Sequence, residues 1–327
     1  MANKTLRRGV AVALSTAMVA VTASCSLFGD GGAGARPTLE KTNLRVGILP
    51  LVDVAPLYMA KEDGKFAAAG LNIDAIPQDN EKQAMESLRN GTIDIAFASH
   101  VTFFKAASEG TDLQLQGEAY QAGTNTMALV TLKNSNFTAL NRGVSKPTIG
   151  VDALDSIGAL TTKSVMNAAG APNFTLKPMD FSKMEAELTS KQIEAAWMVE
   201  PHITRIQKAI GAVVLSDTAR GGTLDFPMSG YAAIRKSAEE SPKTFAAFRK
   251  VLAEAQLLGT NHLKVQEVLV KYAELDNLTA ALVAVGTYPV SINPVRLQRV
   301  ADMMESTRML NTRLDVLQLL PPSSPVN

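Results

Sequence analysis

The stretch Leu88-Arg89-Asn90-Gly91-Thr92-Ile93-Asp94-Ile95-Ala96-Phe97 has a counterpart 100 positions further on, Leu188-Thr189-Ser190-Lys191-Gln192-Ile193-Glu194-Ala195-Ala196-Trp197. Each closes a helical pattern, turns over polar residues and enters an apolar run whose second residue is an acid. Each then leads through a short loop into another helix, Ala98-Ser99-His100 in the first copy and Met198-Val199-Glu200-Pro201 in the second. Two segments matched in this register point to two related lobes.

Outward from both copies the order of elements also repeats. Ahead of the first lie a strand at Leu44–Leu49, a helix over Ala55–Ala69 stopped by Gly70, a strand at Leu71–Ile76 and a helix over Glu81–Arg89. Ahead of the second lie a strand at Thr148–Val151, a helix over Ser156–Ala168, a strand at Phe174–Met179 and a helix over Lys183–Leu188. The pattern predicts strands at Ile93–Phe97 and Ile193–Trp197, followed by helices over Val101–Ser108 and Pro201–Ile210. Such alternation predicts an α/β fold with mostly parallel sheets flanked by helices. From Pro242 the chain reads as helical, over Thr244–Leu258, His262–Leu275, Leu278–Val285 and Pro294–Leu310, and Thr312–Asn327 is expected to fray.

In such folds ligands sit beyond the carboxyl ends of the strands, where helix N-termini offer free N–H groups. Four loops are therefore expected to face one cleft: Leu49–Pro56, Ala98–His100, Asp152–Ser156 and Met198–Pro201. Asp53, Asp155 and Glu200 fall on them, either as helix caps or as acids turned toward a ligand. If two point inward, the ligand carries N–H donors. His100 is a candidate contact, whereas His202 reads as a packing residue. Tyr58 is either core or cleft wall, and Trp197 reads as core ahead of ligand stacking.

The whole chain has 327 residues, enough for about two domains. With 32 Lys+Arg against 31 Asp+Glu it lacks the basic excess of a nucleic-acid binder. Its single Cys excludes a disulfide framework and a Cys-based zinc site. The Gly29–Gly34 stretch matches a dinucleotide fingerprint in letters only, with no strand before it and no helix after. Phosphate-loop, zinc-protease and serine-hydrolase signatures do not occur, and the three His are far apart in sequence. The N-terminus carries Lys4, Arg7 and Arg8 before an apolar run, Gly9–Thr22, and then Cys25. This reads as a signal peptide over residues 1–24, with Cys25 as the lipidated first residue of a lipoprotein and residues 25–42 as a flexible tether. Thr22 departs from the aliphatic residue usual three before such a Cys.

Val46-Gly47-Ile48, Ala55-Pro56-Leu57-Tyr58-Met59-Ala60-Lys61, Gly64-Lys65-Phe66-Ala67-Ala68-Ala69-Gly70-Leu71, the Leu88–Ser99 segment and the Glu200-Pro201 pair occur in that order. By this combination the mature chain resembles the extracytoplasmic solute-binding proteins of ABC importers, in the nitrate/sulfonate/taurine and thiamine-precursor branch. The resemblance implies a type II periplasmic-binding-protein-like fold, with lobe 1 from residues 43–127 and 234–327 and lobe 2 from 128–233. Hinge crossings are then expected near Ala128–Leu132 and Met228–Ala233. It further implies a small-molecule ligand, a partner permease with its ATPase, a monomer held at the outer face of the membrane, no cofactor and no catalysis. Ser99, Ser156 and Ser229 are candidate hydroxyl donors. The full candidate contact set is Asp53, Ala55, Tyr58, Ser99, His100, Asp155, Ser156, Glu200 and Ser229.

Two other classes share these lobes. Fungal pyrimidine-precursor synthases resemble the same family and use a pyridoxal-bound Lys, a reacting His and a Cys-rich motif. Here Ala98 stands at the Lys position, Thr102 at the His position, and no Cys follows Cys25, so no Schiff base can form there. A sensor lipoprotein signalling to a membrane kinase has the same sequence signature as a transport component. The first loop, Leu49–Val54, lacks the aromatic that stacks on a pyrimidine in thiamine-precursor members, and the cleft acids oppose a bare anion. A small polar organic solute with amino groups is the expected ligand.

Overall fold

The computed structural model describes residues 38–322. The expected signal segment, Cys25, most of the tether and the last five residues lie outside the described residues. Two five-stranded sheets form the framework. The first contains β1 (Asn43–Ile48), β2 (Asn72–Pro77), β3 (Ile95–Ser99), β4 (Leu113–Gln121) and a late strand. The second contains β5 (Met127–Leu132), β6 (Thr148–Val151), β7 (Thr175–Pro178), β8 (Ala195–Val199) and β9 (Ala212–Asp217). The late strand is β10 (Pro227–Ile234), and the orders are β2-β1-β3-β10-β4 and β7-β6-β8-β5-β9.

The two orders are the same pattern, so the repeat seen in the sequence is a repeat of topology. Its acids do the same work in both lobes. Asp94 accepts from the backbone N–H of Arg45 at 2.8 Å, and Glu194 accepts from that of Thr148 at 2.6 Å, tying their turns to the first halves of β1 and β6. A Cβ on Gly47 would lie 2.5 Å from Ile93 Cδ1, and one on Gly150 would lie 2.9 Å from Ile193 Cδ1. Both lobes therefore leave out the same side chain to let the same isoleucine pack.

Both sheets are mixed. The βαβ units give two parallel pairings in each, as the alternation predicts, but the strand arriving from the other lobe runs antiparallel to both of its neighbours. That strand is β10 in the first sheet and β5 in the second. The chain thus changes sheets between Gln121 and Met127 and again between Asp217 and Pro227. The crossings expected at Ala128–Leu132 and Met228–Ala233 are corrected accordingly: those residues are strands, and Met228–Ala233 belongs to the first sheet.

Local differences have local causes. The helix expected over Ala55–Ala69 is two, Ala55–Glu62 and Lys65–Ala68, because Gly64 adopts φ +67° between them. Strands β3 and β8 start two residues later than expected, since Ile93 and Ile193 belong to the preceding turns. The segment expected to fray instead packs through its Val316–Leu319 turn, with Val316 and Leu319 buried. Of the helices from Pro242 onward, Pro242–Leu258 and Pro294–Ser306 cover the first sheet, whereas Asn277–Leu282 packs on helix His202–Ile210 of the second lobe. In β4 the alternating Gln114, Gln116 and Glu118 are buried as fully as its leucines. Arg249 donates to Gln116 Oε1 at 2.7 Å, Gln256 to the Glu118 carbonyl at 2.6 Å, and Arg296 to the Glu118 carboxylate at 3.2 Å, so the polar face is satisfied under helices rather than by water.

Candidate functional site

A cleft of about 830 Å³ opens at the carboxyl ends of the parallel strands. All four loops expected there contribute to it, through Leu49–Leu51 and Asp53, Ser99, Asp152, Ala153, Asp155 and Ser156, and Val199. Each lobe adds a third loop that the sequence reading passed over: Gln78–Lys82 after β2 and Asp180–Ser182 after β7. Met228 and Ser229 of β10 complete the wall on the first lobe.

Of the candidate contacts, Asp53, Ser99, Asp155, Ser156 and Ser229 line this cleft. Ala55, Tyr58, His100 and Glu200 do not. Ala55 is fully buried at the start of its helix, and the Tyr58 ring stacks on Tyr272 with centroids 4.1 Å apart. His100 is sealed against Phe103 and Phe104, and burial pulls its pKa down to about 3, so it is neutral at physiological pH. Glu200 is 2% exposed and faces its own helix and the C-terminal segment. Its carboxylate accepts from Thr204 N at 3.1 Å, Thr204 Oγ1 at 2.9 Å and Ala284 N at 3.1 Å, which realises the capping alternative. Burial pushes its pKa up, against those donors.

Asp155 is exposed on the rim, because Ser156 takes the cap: Ser156 Oγ accepts from Ala159 N at 3.2 Å. The acid that turns inward from this loop is Asp152, whose Oδ1 accepts the Ser156 hydroxyl at 2.6 Å. Burial, then the Glu81 carboxylate, lifts Asp152 to about 7. A Cβ on residue 158 would lie 2.2 Å from Asp152 Oδ1 and 2.6 Å from Trp197 Cε3. Gly158 is thus what allows the carboxylate and the indole to meet across the helix N-terminus. Trp197 is core and cleft wall at once: it lines the cleft while its Nε1 donates to Thr218 Oγ1 at 3.2 Å. Phe181 stacks on His202 at 4.7 Å beside it, and burial lowers the His202 pKa to about 4.

On the first lobe, Asp53 is 3% exposed inside the Val52–Val54 turn. Its Oδ2 accepts the Ser229 hydroxyl at 2.5 Å, while Oδ1 is enclosed and has no partner. Burial raises its pKa to about 7, and the Glu81 carboxylate adds to that rise. Glu81 accepts from Ser99 N and Ser99 Oγ at 2.8 Å and from Thr102 Oγ1. Burial pushes the Glu81 pKa up as well. The sequence signal for Glu81 was only that of an acid in a first helical turn after Asn80, a common capping pattern. Nothing in the local sequence shows that Ser99 and Thr102 converge on it.

This arrangement is a periplasmic-binding-protein fold: two lobes of one topology, a double chain crossing and a cleft between facing strand-to-helix loops. Solved structures agree. The ligand-binding component of an ABC-type import system from Staphylococcus aureus, with zinc bound, superposes with a TM-score of 0.75 at 16% identity, over 86% of this chain and 97% of that one. The alkanesulfonate-binding protein SsuA from Xanthomonas axonopodis pv. citri, bound to MOPS, gives 0.73 at 17% identity, over 87% and 99%. The periplasmic nitrate-binding protein NrtA from Synechocystis PCC 6803 gives 0.63 at 17%, over 74% and 69%. The chain belongs to the NMT1-like family, whose model matches residues 37–271. No curated protein matches it in sequence.

Proposed function

We propose that this protein is an extracytoplasmic solute-binding lipoprotein that captures a small polar organic solute between its lobes and delivers it to an ABC importer. The observation that carries the reading is the cleft itself, built from three equivalent loops of each lobe with inward polar groups on both sides. Two chain crossings let such lobes close on a ligand, and the closed form is favoured by its extra affinity. The permease and its ATPase are the partners that the family relationship supports, and lipid on Cys25 would hold the protein at the membrane. The Ala98 and Thr102 positions support a binding role over pyridoxal chemistry.

The test has two stages. A thermal-shift panel of nitrate, taurine, alkanesulfonates, aminopyrimidines, riboflavin and polyamines identifies a ligand; at about 1,000-fold over its Kd a ligand stabilises by roughly 4 kcal/mol. Uptake of that ligand, radiolabelled, is then measured in cells with and without the protein. Loss of uptake is the expected result. Unchanged uptake of a bound ligand rejects delivery and leaves signalling as the role of the site.

A further inference from the structure

Resting on the reading of the cleft as a solute site, we propose that its solute is a cation with at least two N–H donors, of the guanidinium, amidinium or ammonium class, clamped between Asp53 of the first lobe and Asp152 of the second. Asp53 offers one carboxylate oxygen already used by Ser229 and a second, enclosed oxygen that nothing in the protein satisfies. An enclosed acceptor without a donor is costly, and a ligand N–H at the cleft wall removes that cost. Asp152 faces the same cleft from the other lobe, oriented by the Ser156 hydroxyl.

Glu81 plays a different part. Its oxygens are occupied by Ser99 and Thr102, so it contributes negative potential beside the two aspartates rather than a free acceptor. Among the described residues no Lys or Arg bonds to any of the three. The basic residues in the cleft lining are engaged at its rim: Lys105 with Glu109 at 3.0 Å, Lys82 with Glu86 at 4.0 Å, and Arg89 with the Thr111 hydroxyl at 3.2 Å. Burial raises both Asp53 and Asp152 to about 7, and the Glu81 carboxylate adds to the rise in each, with no Lys or Arg to oppose it. A cation placed between the two aspartates favours their ionised forms. An anion would meet their combined repulsion. The indole of Trp197, against Asp152, adds an aromatic wall suited to a flat cation.

Isothermal titration tests this with agmatine, benzamidine and spermidine as cations, and ethanesulfonate and nitrate as anions, on wild type and on the Asp53→Asn and Asp152→Asn variants. The expected result is saturable binding of at least one cation, with neither anion binding, and an affinity loss of about tenfold or more in each variant. Circular dichroism melts confirm that the variants are folded, and the wild-type cation–anion contrast stands whatever the variants do. Binding of ethanesulfonate or nitrate without any cation overturns the inference while leaving the solute-binding reading intact. Cation binding unchanged in both folded variants overturns the assigned clamp. Binding of none of the five overturns the inference too, and the broader panel above then decides separately whether the cleft captures a solute.

Discussion

Asp53→Asn isolates the energetic cost of the buried carboxylate. In the folded chain the titratable groups coupled to Asp53 are the Glu81 carboxylate and the buried tyrosines Tyr120, Tyr231, Tyr272 and Tyr288. None is cationic, and the Ser229 hydroxyl offsets desolvation only in part, so the pKa stands at about 7 against an ordinary 3.8. That displacement makes ionised Asp53 about 4 kcal/mol less favourable in the fold than in the unfolded chain. Between pH 4 and 7 the native state keeps a proton that the unfolded chain has released, so stability falls as pH rises through this window and levels off above it. Asn at this position cannot ionise, and its amide oxygen can still accept from Ser229. The stability difference, variant minus wild type, is therefore expected to grow by about 3 kcal/mol between pH 4.5 and pH 8. Glu81 and Asp152 are present in both chains and largely cancel. Urea unfolding of both proteins at pH 4.5, 6 and 8 measures the difference, and the relative Tm should move by several degrees over the same range. A difference that stays constant with pH would refute the claim that Asp53 is an uncompensated buried acid.

Three further outcomes follow from contacts at other positions. Glu200→Ala strands Thr204 and the Ala284 N–H, and should destabilise by about 2–4 kcal/mol in urea unfolding; a loss below 1 kcal/mol would show that water replaces the carboxylate. Gly158→Ala drives a methyl group into Asp152 and Trp197, at a cost of about 1–3 kcal/mol, and should shift the tryptophan emission; an unchanged spectrum and unchanged stability would mean that the helix start yields freely. Trp197 is the only Trp, so a cleft ligand should alter intrinsic fluorescence at the same concentration that half-saturates binding, and a titration that is silent in fluorescence places the ligand elsewhere.

What the sequence showed of the fold is the part governed by local pattern. The helices Glu81–Arg89 and Ile157–Ala168 are legible from their caps and periodicity, and the matched acids Asp94 and Glu194 announce the repeat. The antiparallel arrival of β5 and β10 is not legible, because strand direction within a sheet depends on where the other lobe delivers the chain. Strand β4 hid for another reason: its Leu/Gln alternation looks half-exposed, and only Arg249, Gln256 and Arg296, more than 130 residues away, bury its polar side. In the cleft, loop position was readable but side-chain direction was not. Asp152 and Asp155 share one loop, and the choice of Ser156 as cap turns one inward and leaves the other on the rim. Glu200 was drawn away by an N–H of Ala284, a partner 84 residues off.

The exchange of strands between sheets also orders the assembly of the molecule in time. When β1 to β4 have emerged from a ribosome or a translocation channel, β3 and β4 have no partner between them, for the strand that joins them, β10, follows the entire second lobe. The second lobe needs nothing later than its own β9 to complete its sheet. During synthesis the half that begins first is therefore the half that finishes last. Until Pro227–Ile234 arrive, it carries two open strand edges of the kind that pair with other chains.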